Sequence, residues 1–255
     1  INCHPQAESE LMKSALSFFS AAVLFCMMIT SVISASPLPQ TGQYTKEHID
    51  QNTSAKSRFL LFLPEGYGED DRKWPVIVYL HGASVRGSNL SRVKRYGLPW
   101  LVETRRDFPF IVISPQCPAG KRWVDIDPNR VMDVLDAVCS EYAVDVNRIY
   151  LTGVSMGGHG AWFLAHRYPR RFAAVAPLCG RADTAWVETL IGMPAWVFHG
   201  EYDRVCPKRY SDRMVAVLDS LGAEVKYTLY RGAGHDIVTR TYKNEELYEW
   251  FLLHR

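Results

Sequence analysis

The stretch IYLTGVSMGGHGAWF (149–163) sets one serine between glycines, where an apolar, partly β-branched run passes into an apolar helical pattern. Gly153-Val154-Ser155-Met156-Gly157 fits G-x-S-x-G in its required setting, strand before and helix after. The five residues alone are weak, since a plain tight turn explains two glycines and a serine equally well. On a sharp strand-to-helix turn, however, the serine projects alone from the sheet edge. Beside it lie the free N–H groups and positive dipole end of the next helix. The rest of the chain decides between these readings.

Working outward, WPVIVYLHG (74–82) and FPFIVISPQCP (108–118) are unbroken apolar runs, the pattern of strands buried on both faces. NRVMDVLDAVCSEYAV (129–144) has helical spacing, and RIYLTGVS (148–155), FAAVAPLCG (172–180) and MPAWVFHGEYD (193–203) read as strands. RYSDRMVAVLDSLG (209–222) is a helix with a glycine stop, EVKYTLYRGAGHD (224–236) a strand with its loop, and YKNEELYEWFLLHR (242–255) a terminal helix. Such alternation predicts an α/β fold with a mostly parallel central sheet and helices on both faces. Residues 58–255, opening on RFLLFLP (58–64), read as one catalytic domain. The polar residues 36–57 read as an N-terminal lead, and the segment 180–192 is too short for a large cap domain.

The N-terminal stretch MKSALSFFSAAVLFCMMITSVISASPLPQ (12–40) runs from a lysine through an apolar tract to small residues and prolines, the order of a secretory signal peptide. Residues 1–35 are therefore read as upstream residues and signal, with cleavage near Ala35-Ser36, and the mature protein as secreted or periplasmic without stable membrane association. Net charge is +2 with no block of like charges, which leaves no footprint for nucleic acid. The basic cluster Arg92, Lys94 and Arg95 reads as the exposed face of a helix. No Cys/His spacing suggests a metal, and no cofactor is expected. Past the signal stand Cys117, Cys139, Cys179 and Cys206. Cys139 is in phase with the apolar face of its helix and reads as a buried thiol. Cys179 and Cys206 each follow a strand at one sheet edge, which makes a bridge between them an expectation.

Ligand sites in such sheets form at the carboxyl ends of the strands. A serine hydroxyl needs a base, and this topology demands the order Ser, Asp/Glu, His along the chain, with the histidine just past the last strand. YRGAGHD (230–236) supplies His235 after the last strand, and VFHGEYDRVCP (197–207) supplies Asp203 after the strand before it. Glu201 and Asp236 are the alternative acids; Asp236, adjacent to the histidine, is poorly placed to reach its far ring nitrogen. His159 and His166, on the helix after Ser155, read as packing or surface residues. Two donors must face a developing oxyanion, and the expected ones are the Met156 and Ala83 N–H groups, with His81 shaping the turn or contacting substrate.

Taken together, YLHGAS (79–84), PQCP (115–118) with Trp123, RIYLTGVSMGGHGAW (148–162), FAAVAPLCG, VFHGEYDRVCP and GAGHD (232–236) resemble the α/β-hydrolases from about Arg58 to the end. More narrowly, they resemble secreted single-domain serine carboxylesterases of the predicted-peptidase and phospholipase/carboxylesterase group, relatives of feruloyl esterases and polyhydroxybutyrate depolymerases. The resemblance implies a Ser155–His235–Asp203 triad, an oxyanion hole from Ala83 and Met156, and hydrolysis of short-chain or aromatic esters, free or polysaccharide-linked. It departs at Cys206, where relatives often have an aliphatic residue. Trp123 and Trp186 are expected to flank the site as an aromatic wall, with cover of the sheet as the alternative role for Trp186. The competing readings are a peptidase of prolyl-oligopeptidase type and a catalytically dead, carbohydrate-binding hydrolase fold.

Overall fold

The computed structural model describes residues 40–51 and 53–255. The signal-peptide reading falls outside them, and among the described residues no helix is long and apolar enough to cross a membrane. Eight strands form one sheet: β1 (Gly42–Ile49), β2 (Lys56–Leu63), β3 (Trp74–Leu80), β4 (Ile111–Pro115), β5 (Val144–Val154), β6 (Ala174–Leu178), β7 (Ala195–Gly200) and β8 (Val225–Tyr230). Their spatial order is β1-β2-β4-β3-β5-β6-β7-β8. β1 and β2 pair antiparallel, β2 and β4 likewise, and every later pairing is parallel.

The apolar runs are continuous because their strands bury both faces. β3, β4, β6 and β7 are buried at every residue. Alternate side chains then build two cores. Val76, Val78 and Leu80 face one way, with Ile113 and Leu151; Ile77 and Tyr79 face the other, with Val112 and Tyr150. The first face is covered by α2 (Asn129–Glu141), α3 (Met156–Arg167) and α5 (Arg209–Ser220). The second is covered by α1 (Gly97–Thr104), α6 (Val238–Tyr242) and α7 (Glu245–Leu252). Between β6 and β7 stand only a single turn at Thr184–Trp186 and the one-turn α4 (Val187–Leu190).

Three boundaries differ from the sequence reading. The segment read as a polar lead supplies β1, so the sheet begins at Gly42 rather than at Arg58. Its GQYTKEHI pattern hid this, because an edge strand buries little. Tyr44 meets Tyr142 at 3.2 Å, and Lys46 reaches the Tyr142 hydroxyl at 2.8 Å, so polar side chains do the packing. The terminal helix is two pieces, divided where the Asn244 side chain accepts the Glu246 N–H at 3.2 Å and caps a new start. The cluster Arg92, Lys94 and Arg95 lies on a 3-10 turn, Leu90–Arg95.

Candidate active site

At the carboxyl edge of this sheet Ser155 has φ +56° and ψ −114°, a conformation that a non-glycine residue adopts only when its surroundings impose it. The surroundings are backbone. A Cβ on Gly157 would lie 1.9 Å from the Leu80 carbonyl oxygen, and one on Gly153 would lie 2.4 Å from the Gly157 oxygen. Both glycines are therefore steric necessities of the turn. The Ser155 N–H donates to Leu178 O at 2.8 Å, and its carbonyl starts α3 by accepting the His159 N–H at 3.0 Å.

Two later loops bring the partners. His235 Nε2 stands 2.9 Å from Ser155 Oγ, and His235 Nδ1 stands 2.7 Å from Asp203 Oδ2. An ionised carboxylate only accepts, so Nδ1 carries the proton and the Nε2 lone pair faces the serine hydroxyl. Asp203 is 6% exposed, and its second oxygen accepts the Val205 and Cys206 N–H groups at 2.9 and 2.8 Å. The alternative acids lie elsewhere. Glu201 accepts the Gly232 N–H at 2.9 Å, anchoring the histidine loop through its backbone, and Asp236 is exposed. The two loops are sewn together by Tyr202 N–H donating to Ala233 O at 2.8 Å. A Cβ on Gly200 would lie 1.9 Å from Gly234 O.

Ala83 and Met156 are each the first residue of a helical turn, where an N–H has no partner within the turn. Both border the cleft at Ser155. The loop carrying Ala83 is fixed from behind, since the Tyr96 hydroxyl accepts the Gly82 N–H at 3.1 Å.

Trp123 departs from the aromatic wall expected of it, whereas His81 and Trp186 take a structural role rather than a substrate contact. His81 is fully buried: its Nε2 accepts the Cys117 N–H at 3.0 Å and its Nδ1–H donates to Gly82 O at 2.7 Å. Burial lowers its pKa to about 4, so the ring is neutral. Trp123, 2% exposed, donates Nε1–H to His81 O at 2.9 Å and packs against Gly160. Neither ring reaches the cleft, because both are spent on joining the loops after β3 and β4. Trp186 is sandwiched between His159 and His166, with centroids at 5.7 and 5.5 Å, so its faces are already covered. This stacking also gives both histidines the packing role expected of them.

The expected Cys179–Cys206 bridge is absent, and all four described cysteines are free. The Cys179 thiol, pushed well up by burial, points at the His235 carbonyl oxygen, 3.6 Å away. That contact holds the histidine loop where a bridge to the acid loop was expected. One positioning residue escaped the sequence reading altogether. His199, fully buried, donates Nε2–H to Cys206 O at 2.7 Å, with Asp203 Oδ2 3.3 Å away, and its Nδ1 accepts from Ser211 Oγ at 2.7 Å. Burial lowers its pKa and keeps it neutral, so it holds the acid loop without adding charge. Sequence shows only a histidine at a strand end.

Residues 121–247 match the Dienelactone hydrolase family. Two curated proteins are similar: a bifunctional acetylxylan esterase/xylanase of Neocallimastix patriciarum and acetylxylan esterase A of Emericella nidulans. The first is 30% identical over 100 residues, covering 38% of this chain and 15% of the relative. The second is 22% identical over 172 residues, covering 62% of this chain and 54% of the relative. Among solved structures, a thermostable esterase superposes with a TM-score of 0.71 at 31% identity, over 83% of this chain and 63% of that one. The chain thus spans less than two thirds of each of these relatives. The sheet order, the elbow and the matched segment agree, and the chain belongs to the dienelactone hydrolase family of the α/β-hydrolase superfamily.

Proposed function

We propose that the protein is a secreted serine carboxylesterase acting on short-chain or aromatic acyl esters, acetyl and feruloyl types included, on small alcohols or on polysaccharides. The observation that carries the reading is the unbroken relay from Asp203 through His235 to Ser155 Oγ, with contacts of 2.7 and 2.9 Å. Likeness to two acetylxylan esterases supports the ester class, and the short connection between β6 and β7, which among the described residues leaves the cleft uncapped, suits a polymer-borne acyl group.

In this reading Ser155 Oγ attacks the ester carbonyl while His235 Nε2 takes its proton. Asp203 holds the imidazole in the required tautomer and stabilises the imidazolium. The Ala83 and Met156 N–H groups receive the charge that develops on the carbonyl oxygen. Collapse of the tetrahedral adduct breaks the bond to the alcohol, and His235 returns the proton to the departing oxygen. Water, activated by the same ring, then releases the acid and frees Ser155. The strained φ of Ser155 keeps Oγ clear of the helix and aimed at the substrate.

The test is hydrolysis of p-nitrophenyl acetate and of acetylated xylan by wild type and Ser155→Ala. We expect kcat to fall roughly 10⁴- to 10⁶-fold in the variant. Equal rates in the two proteins would overturn the assignment, and cleavage of peptide amides with no ester turnover would replace it with a peptidase.

A further inference from the structure

Behind the relay lies a side chain that the proposed hydrolysis does not use. Cys179, fully buried just past the end of β6, points its thiol at the backbone of the histidine loop. Its φ of +39° lies in the left-handed region, which a non-glycine residue enters only when its surroundings impose it. One ligand atom from each of Cys179, Asp203 and His235 lies within 4.8 Å of the other two. The three residues follow β6, β7 and β8, so the sheet edge alone brings them together and no sequence spacing reveals them.

A sulfur, a carboxylate oxygen and an imidazole nitrogen this close have the chemistry of a metal site. Tetrahedral bonds of about 2.3 Å to sulfur and about 2.0–2.2 Å to nitrogen and oxygen set the ligand atoms roughly 3.3–3.7 Å apart. Rotation of the thiol and small shifts of the other two side chains therefore close the set around an ion. Thiolate with imidazole selects Zn²⁺ or Cd²⁺ over Mg²⁺ and Ca²⁺, which take oxygen ligands.

We infer that Cys179, Asp203 and His235 bind a thiophilic divalent cation of the Zn²⁺ or Cd²⁺ class, and that the bound ion silences Ser155. The binding stands apart from the esterase reading, and the loss of turnover rests on it. The ion accepts lone pairs from Cys179 Sγ, an Asp203 oxygen and His235 Nδ1, the nitrogen that faces Asp203. The thiol proton leaves to solvent, and the ring proton moves from Nδ1 to Nε2. Nε2–H then donates to Ser155 Oγ instead of accepting from it, so the hydroxyl has no base. Nothing is oxidised or reduced, and a chelator reverses the step. The ion enters past His235, which borders the cleft with a side chain 26% exposed, while Cys179 and Asp203 are buried behind it. Inhibition should therefore develop over time rather than on mixing.

The first measurement needs no turnover. Cd²⁺ added to the Ser155→Ala protein should give the ultraviolet charge-transfer absorption of a Cd²⁺–thiolate bond, and Zn²⁺ should raise its melting temperature. Mg²⁺ and Ca²⁺ should do neither. Adding Cys179→Ala or Cys179→Ser to that protein should abolish both effects, whereas Cys139→Ser, on α2, should leave them. In the protein with Ser155 intact, preincubation with Zn²⁺ should stop hydrolysis of p-nitrophenyl acetate, and EDTA should restore it. Losing a ligand should cost no less than the roughly 10- to 100-fold lost with a ligand's own hydrogen-bond partner. The Zn²⁺ concentration for half inhibition should thus rise at least about tenfold in either Cys179 variant. Each protein is referred to its own metal-free rate, since Cys179 also steadies the histidine loop. Absorption or inhibition that survives loss of the Cys179 thiol, or that vanishes in Cys206→Ser instead, overturns the inference and leaves the esterase reading in place. Cys179-dependent absorption without any Ser155-dependent hydrolysis keeps the metal site and overturns the esterase reading.

Discussion

Asp203 is held from more directions than the chemistry requires. Its outer oxygen takes two backbone N–H groups, and its inner oxygen faces His235 and lies 3.3 Å from His199. His199 also carries the Cys206 carbonyl, so one neutral ring fixes both the acid and the loop that solvates it. We therefore expect His199→Phe, which keeps an aromatic ring and removes both hydrogen bonds, to lower kcat about 10- to 100-fold with little change in KM. His199→Asn should restore part of the loss. Steady-state kinetics on p-nitrophenyl acetate check this, and an equal fall in the unrelated thermal stability with kcat untouched would assign His199 to packing alone.

Between elements, His81 does the corresponding work at the sheet edge. It links the loop after β3, which carries Ala83, to the loop after β4, which carries Cys117, and it is neutral in doing so. Its folded pKa of about 4 lies below the ordinary histidine value of 6.5, so between these values the unfolded chain binds the extra proton. Stability is then fully present above about pH 6.5 and is lost progressively as pH falls towards 4, by on the order of 3 kcal/mol. Urea unfolding at pH 7 and pH 4.5 should show this loss in wild type. His81→Gln should be less stable at both values and lose less between them, because the His81 share of the pH dependence is gone. An identical slope in the two proteins would remove His81 from the account.

For the whole molecule, β1 closes the sheet and its removal is costly. Without it the buried row of β2, Phe59–Leu63, would become an exposed apolar edge, the kind that pairs with other chains. A chain starting at residue 40 should stay dispersed and fold cooperatively, whereas one starting at residue 58 should aggregate or melt at clearly lower temperature. Light scattering and thermal denaturation of the two make the comparison. β1 resisted reading because an edge strand solvates most of its side chains and so carries no apolar alternation. The same limit applies to side chains gathered at the cleft from separate loops: Arg86, Arg122 and Arg181 border it beside Ser155, yet they are far apart in sequence and carry no shared pattern.

What the sequence determined by itself is whatever backbone geometry forces locally. Buried strands must be apolar on both faces, Gly153 and Gly157 must lack a Cβ, and Ser155, Asp203 and His235 must follow the ends of β5, β7 and β8 in that order. The tertiary structure alone decided everything that depends on which side chains meet across loops. It sent His81 and Trp123 inward as a brace, turned Cys179 towards a carbonyl instead of Cys206, and set His199 behind Asp203. Those outcomes turn on burial and on hydrogen bonds between distant segments, where one polar or aromatic residue type serves equally well as substrate contact or as core.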